Sequence, residues 1–166
     1  MQTNRYIHLM FKSFQRNNES LFFIIVAVPG FYLWQNVSLR GIAGSSTNLV
    51  RVENGFLTMY TSSKITGHTT TSQYGAVYVT GGSSSFEMWG GEISENHSVA
   101  INSSGGVYID NGASFDLRRG SITGNTRGNP AAAMDVSLNG TVSIARSTRG
   151  INAVVGASTP ASFAGN

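Results

Sequence analysis

The sequence predicts an all-β fold, a right-handed parallel β-helix (solenoid) of about five coils, and three observations predict it. The first is a repeat. Apolar anchors at Leu33, Met59, Met88, Leu117 and Ile144 recur at spacings of 26, 29, 29 and 27 residues. A second series (Leu39, Ile65, Ile93, Ile122) follows the anchors, and a third (Val26, Val52, Val79, Ile109, Val136) precedes them. Three strand signals per period of 26–30 residues fit a stack of coils, whereas a propeller blade needs about 40 residues. The second observation is alternation. Val77-Tyr-Val79, Val107-Tyr-Ile109 and Met134-Asp-Val136 place apolar residues on one face and the middle residue on the other. The third is composition: Gly, Ser, Thr and Asn make up 70 of 166 residues, with only three prolines, as many short strands and turns require.

Composition also excludes function classes. Charged residues are 11% of the chain, and the net charge of +3 resides in residues 1–40, where Arg5, Lys12, Arg16 and Arg40 face Glu19 alone. Residues 41–166 carry seven basic and seven acidic groups, so no basic face is available for phosphates and no nucleic-acid partner is expected. With no cysteine there is no thiol nucleophile, no disulfide framework and no thiolate metal site.

Residues 1–19 form a basic amphipathic segment. Ile7, Met10, Phe11 and Phe14 follow helical spacing, with Arg5, Lys12 and Arg16 on the other face. A helix over residues 4–17 is expected to cap the first coil; the same pattern suits a leader or membrane-surface contact, which would be confined to residues 1–19. Leu21–Val28 is apolar and too short to span a membrane. The solenoid is expected over residues 20–156, with a small, polar tail at 157–166. Gly-Gly pairs at 81–82, 90–91 and 105–106 mark corners that need positive φ or close backbone approach.

Polar residues three positions past the second series (His68, Asn96 and Asn125) are expected to stack as an internal ladder. His68 reads there as a stand-in for Asn, because no second His or carboxylate shares its column.

The segments Phe86-Glu-Met-Trp-Gly-Gly-Glu-Ile-Ser-Glu-Asn96, Gly105-Gly-Val-Tyr-Ile-Asp-Asn-Gly112 and Phe115-Asp-Leu-Arg-Arg-Gly-Ser-Ile-Thr-Gly-Asn125 resemble the repeats of bacterial surface β-helix proteins. They are most similar to polymorphic outer-membrane protein and autotransporter-passenger repeats. Such a resemblance implies the β-helix fold and an extracellular or cell-surface location. It carries no shared catalytic motif.

Two outward columns are candidates for chemistry. Tyr78 and Tyr108, between Arg51 and Asp135, would form a flat aromatic surface for sugars or a protein partner. The other column runs Thr58, Glu87, Asp116, Ser143, beside Tyr60, Trp89, Arg118, Ala145. Glu87 and Asp116 on adjacent coils would repel, raising one pKa as glycoside hydrolysis requires, or would chelate a hard cation. Arg118 within reach would instead neutralise the pair, with its guanidinium over Trp89. No cofactor or metal centre is expected. Two readings follow: a non-enzymatic, adhesin-like module whose partners are glycans or host and cell-surface proteins, or a polysaccharide lyase or glycoside hydrolase with a site near Glu87 and Asp116.

Overall fold

The computed structural model describes residues 30–139 and 153–159, and places 14–16, 19–21, 24–26 and 143–145 as strands. The chain is a β-solenoid of about four turns built from parallel stacked strands, and no helix occurs among the described residues.

Two long stacks of strands run along it. The first sheet comprises Ile24–Val26, Val50–Glu53, Val77–Thr80, Val107–Asp110, Val136–Leu138 and Ser158–Thr159, each parallel to its counterpart one coil away. The second, of eight strands, makes two faces. Phe31–Leu33, Phe56–Met59 and Ser143–Ala145 belong to one face; Ser38–Arg40, Lys64–Thr66 and Ala153–Val155 belong to the other. The long strands Ser85–Ser94 and Ser114–Thr123 contribute to both, turning at Gly90–Gly91 and Gly120, where φ is positive. A short fourth row links Thr69–Thr70, His97–Ser98 and Thr126–Arg127 in parallel, and Ala132–Ala133 closes it antiparallel.

Alternation puts the apolar series inside. Leu33, Met59, Met88 and Leu117 form one column, Ile65, Ile93, Ile122 and Val155 another, and Val52, Val79 and Ile109 a third, nearly all inaccessible to solvent. Phe86 and Phe115 stack at 5.1 Å. Each such fully buried side chain contributes about 1.5–3 kcal/mol, and only stacking buries it, because a single coil exposes both rims.

The corners are as regular as the strands. Asn54, Gly81 and Asn111 are left-handed at equivalent positions, and so are Gly67, Glu95 and Gly124 immediately before the polar ladder. The ladder is present. The Asn125 Oδ1 accepts from both the backbone and the side-chain nitrogen of Asn96, and the Asn96 Oδ1 accepts from the backbone N–H of His68.

Several expectations need correction. Ile144 pairs with Phe115, not with Leu117, and Leu138 rather than Val136 continues the column of Ile109. The extra residues of the Gly128–Ala133 hairpin enter before this strand, so Val136 falls opposite Val107 and Ser137, not Asp135, faces Tyr108. Asp135 joins the ladder instead, accepting from Asn125. Gly105 has no positive φ; backbone from two neighbouring coils crowds it. The expected capping helix lies largely outside the described residues, but Phe14–Arg16 is a strand paired antiparallel with Glu19–Leu21. Asn17-Asn18 between them are residue types that favour tight turns over a continuing helix.

Candidate functional site

The two columns on the Phe56–Met59 face extend one coil further back than the anchors alone suggest. Backbone register aligns Tyr32, Thr58, Glu87 and Asp116, and the residues that follow Leu33, Met59 and Met88 are Trp34, Tyr60 and Trp89. Strand spacing of about 4.8 Å brings side chains on successive coils into contact range. Trp34 and Tyr60 accordingly stack at 5.0 Å with their planes 8° apart. Tyr32 lies 6.5 Å from Tyr60 and meets Phe56 edge to face at 5.1 Å. Of these rings Trp34 is 61% exposed, Trp89 40% and Tyr32 39%, an unusual amount of aromatic surface to leave in water.

Above Tyr60 the stack is interrupted. Leu117 pairs with Met88 but Arg119 pairs with Trp89, which makes Arg118 a bulged residue without a backbone partner. Its guanidinium carbon sits 3.9 Å over the Trp89 ring, and its Nε donates to Asp116 Oδ2 at 2.6 Å. The indole Nε1–H of Trp89 donates to Glu87 Oε2 at 3.0 Å. Tyr60 and Trp89 both line a groove of about 480 Å³. Tyr32, Phe56, Tyr60 and Trp89 give it apolar walls, and Thr58, Ser85 and Glu87 supply polar atoms.

The structure therefore brings Glu87, Asp116, Arg118 and Trp89 together, but Arg118 engages only one of the carboxylates. Among the described residues Glu87 has no ion-pair partner, and Asp116 Oδ1 is buried with no hydrogen bond. No group of three or more His, Asp and Glu side chains among the described residues is arranged to hold a metal ion.

Tyr78 and Tyr108 are adjacent in register, yet they are not an open surface. They are 4% and 8% exposed. Tyr74 lies flat on Tyr78 at 4.0 Å, held there because Asn48 Nδ2 donates to the carbonyls of Tyr74 and Gly75. Arg51 approaches the Tyr78 ring at 5.2 Å. Burial pushes both phenol pKa values up. This cluster is a packed corner with no free ring face to offer a sugar.

His68 is 1% exposed. Its Nε2–H donates to the Thr47 carbonyl at 2.8 Å, its Nδ1 has no partner, and burial lowers its pKa despite that hydrogen bond. Among the described residues no carboxylate or second histidine hydrogen-bonds to its ring, and His97 is engaged with Thr126 Oγ1 at 2.8 Å.

Tyr32, Trp34 and Phe56 escaped the sequence reading. The signal for the first two was present, since stepping each column back by one period of 26 residues lands on them. The signal for Phe56 was present too, since it lies two residues before Thr58 in the same strand and so shares its outward face. Comparison with protein-family models, curated proteins and solved structures found no match to this chain.

Proposed function

We propose that the chain is a non-enzymatic repeat module, adhesin-like and secreted or displayed at a cell surface, that binds glycan in the groove lined by Tyr60 and Trp89. The observation that carries this reading is the cluster of exposed aromatic rings around a single carboxylate. Rings of this kind take the C–H faces of pyranoses, and a few polar groups then fix orientation. The surface location rests on the repeat's resemblance to bacterial surface β-helices.

A groove beside Glu87 is also what a carbohydrate-active enzyme would need. Turnover would require a second carboxylate in reach of the same bond. Asp116 is committed to Arg118 and does not line the groove, which favours binding without cleavage.

The test is a titration of the protein against a panel of neutral, acidic and amine-bearing oligosaccharides, followed by indole fluorescence. Binding that is lost in Trp89→Ala and Tyr60→Ala is the expected result. Tyr78→Ala and Tyr108→Ala should lower thermal stability and leave affinity intact in the folded fraction. No binding across the panel would overturn the reading. Release of reducing or unsaturated ends, abolished by Glu87→Gln, would replace it with the enzyme.

A further inference from the structure

We infer that the groove selects a glycan carrying a free amine, with the ammonium of an amino sugar held at Glu87. The inference rests on the reading of the groove as a glycan site and names the sugar class it takes.

The aromatic column has four levels. Trp34 covers one face of Tyr60 at 5.0 Å, and Arg118 covers one face of Trp89 at 3.9 Å. Tyr60 and Trp89 both line the groove, with Tyr32 and Phe56 beside them. A pyranose entering there would meet the apolar walls that Tyr32, Phe56, Tyr60 and Trp89 provide. The Arg118 guanidinium lies against the Trp89 ring, is neutralised by Asp116 and does not line the groove.

The walls alone would accept any pyranose, so Glu87 decides the selection. Its carboxylate accepts one hydrogen bond, from the Trp89 indole, and no cation within the described residues pairs with it. A half-buried carboxylate with open acceptor sites among electron-rich ring faces is complementary to an ammonium, through a charge-assisted hydrogen bond and cation–π attraction together. It is indifferent to an acetamide, which brings no charge. It repels a uronic acid, whose carboxylate would meet Glu87 with no compensating base on the groove wall.

The decisive experiment titrates the intact chain, at mildly acidic pH and low salt, with three tetrasaccharides: glucosamine, N-acetylglucosamine and galacturonic acid. The glucosamine oligomer should bind about tenfold or more tighter than the acetylated one, within the range for a hydrogen bond to a charged group, and the uronate should not bind. Added salt should narrow the preference. Glu87→Gln should abolish it, bringing the affinity for the glucosamine oligomer down to that for the acetylated one. Equal or tighter binding of the acetylated sugar, or a preference that survives Glu87→Gln, overturns the amine assignment and leaves the glycan site standing. Binding of none of the three, nor of any other glycan, overturns both.

Discussion

Asp135 and Asn125 are joined twice. One carboxylate oxygen of Asp135, Oδ1, accepts from the backbone N–H of Asn125 at 2.8 Å and from its side-chain Nδ2 at 2.8 Å. The other, Oδ2, accepts from the backbone N–H of Ala157 at 2.7 Å. Asn125 and Asn96 each pass one oxygen to the coil below and one nitrogen toward the coil above, so each amide both gives and receives. A carboxylate only accepts, and Asp135 therefore ends the ladder by satisfying donors from both sides.

That position makes Asp135 a stability determinant. Asp135→Ala would strand the backbone N–H donors of Asn125 and Ala157, each costing about 1–3 kcal/mol when left unpaired, and would leave the Asn125 Nδ2 only the carbonyls of Ile93 and Thr123. A loss of about 3 kcal/mol or more in denaturant unfolding is expected. Asp135→Asn keeps one oxygen for Asn125 and should cost less than half as much. Equal effects from the two substitutions would show that the ladder termination matters less than the cavity.

His68 predicts an acid sensitivity. Burial lowers its folded pKa below the ordinary 6.5, because a proton on Nδ1 would sit buried without an acceptor. The unfolded chain thus binds that proton more readily. The contribution of His68 to stability is complete above pH 6.5 and is lost as pH falls below 6.5 toward the lower folded value. His68→Asn, matching the residue type of the next two rungs, should remove this slope. Melting temperatures of the two proteins across that interval provide the measurement, and parallel curves would count against the histidine.

The glycines separate into two kinds. A Cβ on Gly105 would stand 2.5 Å from the Asn96 carbonyl oxygen and closer still to that of Thr126. Both contacts are backbone that cannot step aside. Gly105→Val should cost about 3 kcal/mol or prevent folding. Gly82 has an ordinary φ and open space around it, so Gly82→Ala should change stability by less than about 0.5 kcal/mol. Comparable losses at the two sites would undermine the steric explanation.

The inward columns through Leu33, Met59, Met88 and Leu117, and through Ile65, Ile93 and Ile122, were legible because strand backbone turns every second side chain to the same face. A repeat of that pattern leaves few ways to bury all of it. The ladder from His68 to Asn125 was legible for the same reason. Ile144 and Val136 were misassigned because the spacing of 27 residues hides the hairpin near Pro130, which shifts the pairing by two positions while preserving the count.

What the sequence by itself determined is therefore the solenoid: its inward columns, its polar ladder and the side-by-side arrangement of Glu87, Asp116, Arg118 and Trp89. These depend on local alternation and a fixed period. Tertiary structure alone decided which outward rings stay open. Tyr78 and Tyr108 are closed because Asn48, from the preceding coil, holds the loop that lays Tyr74 over them. Trp89 stays 40% exposed and lines the groove although the Arg118 guanidinium lies 3.9 Å from its ring. Both outcomes turn on contacts between chain segments a coil apart, whose geometry the one-dimensional period does not encode.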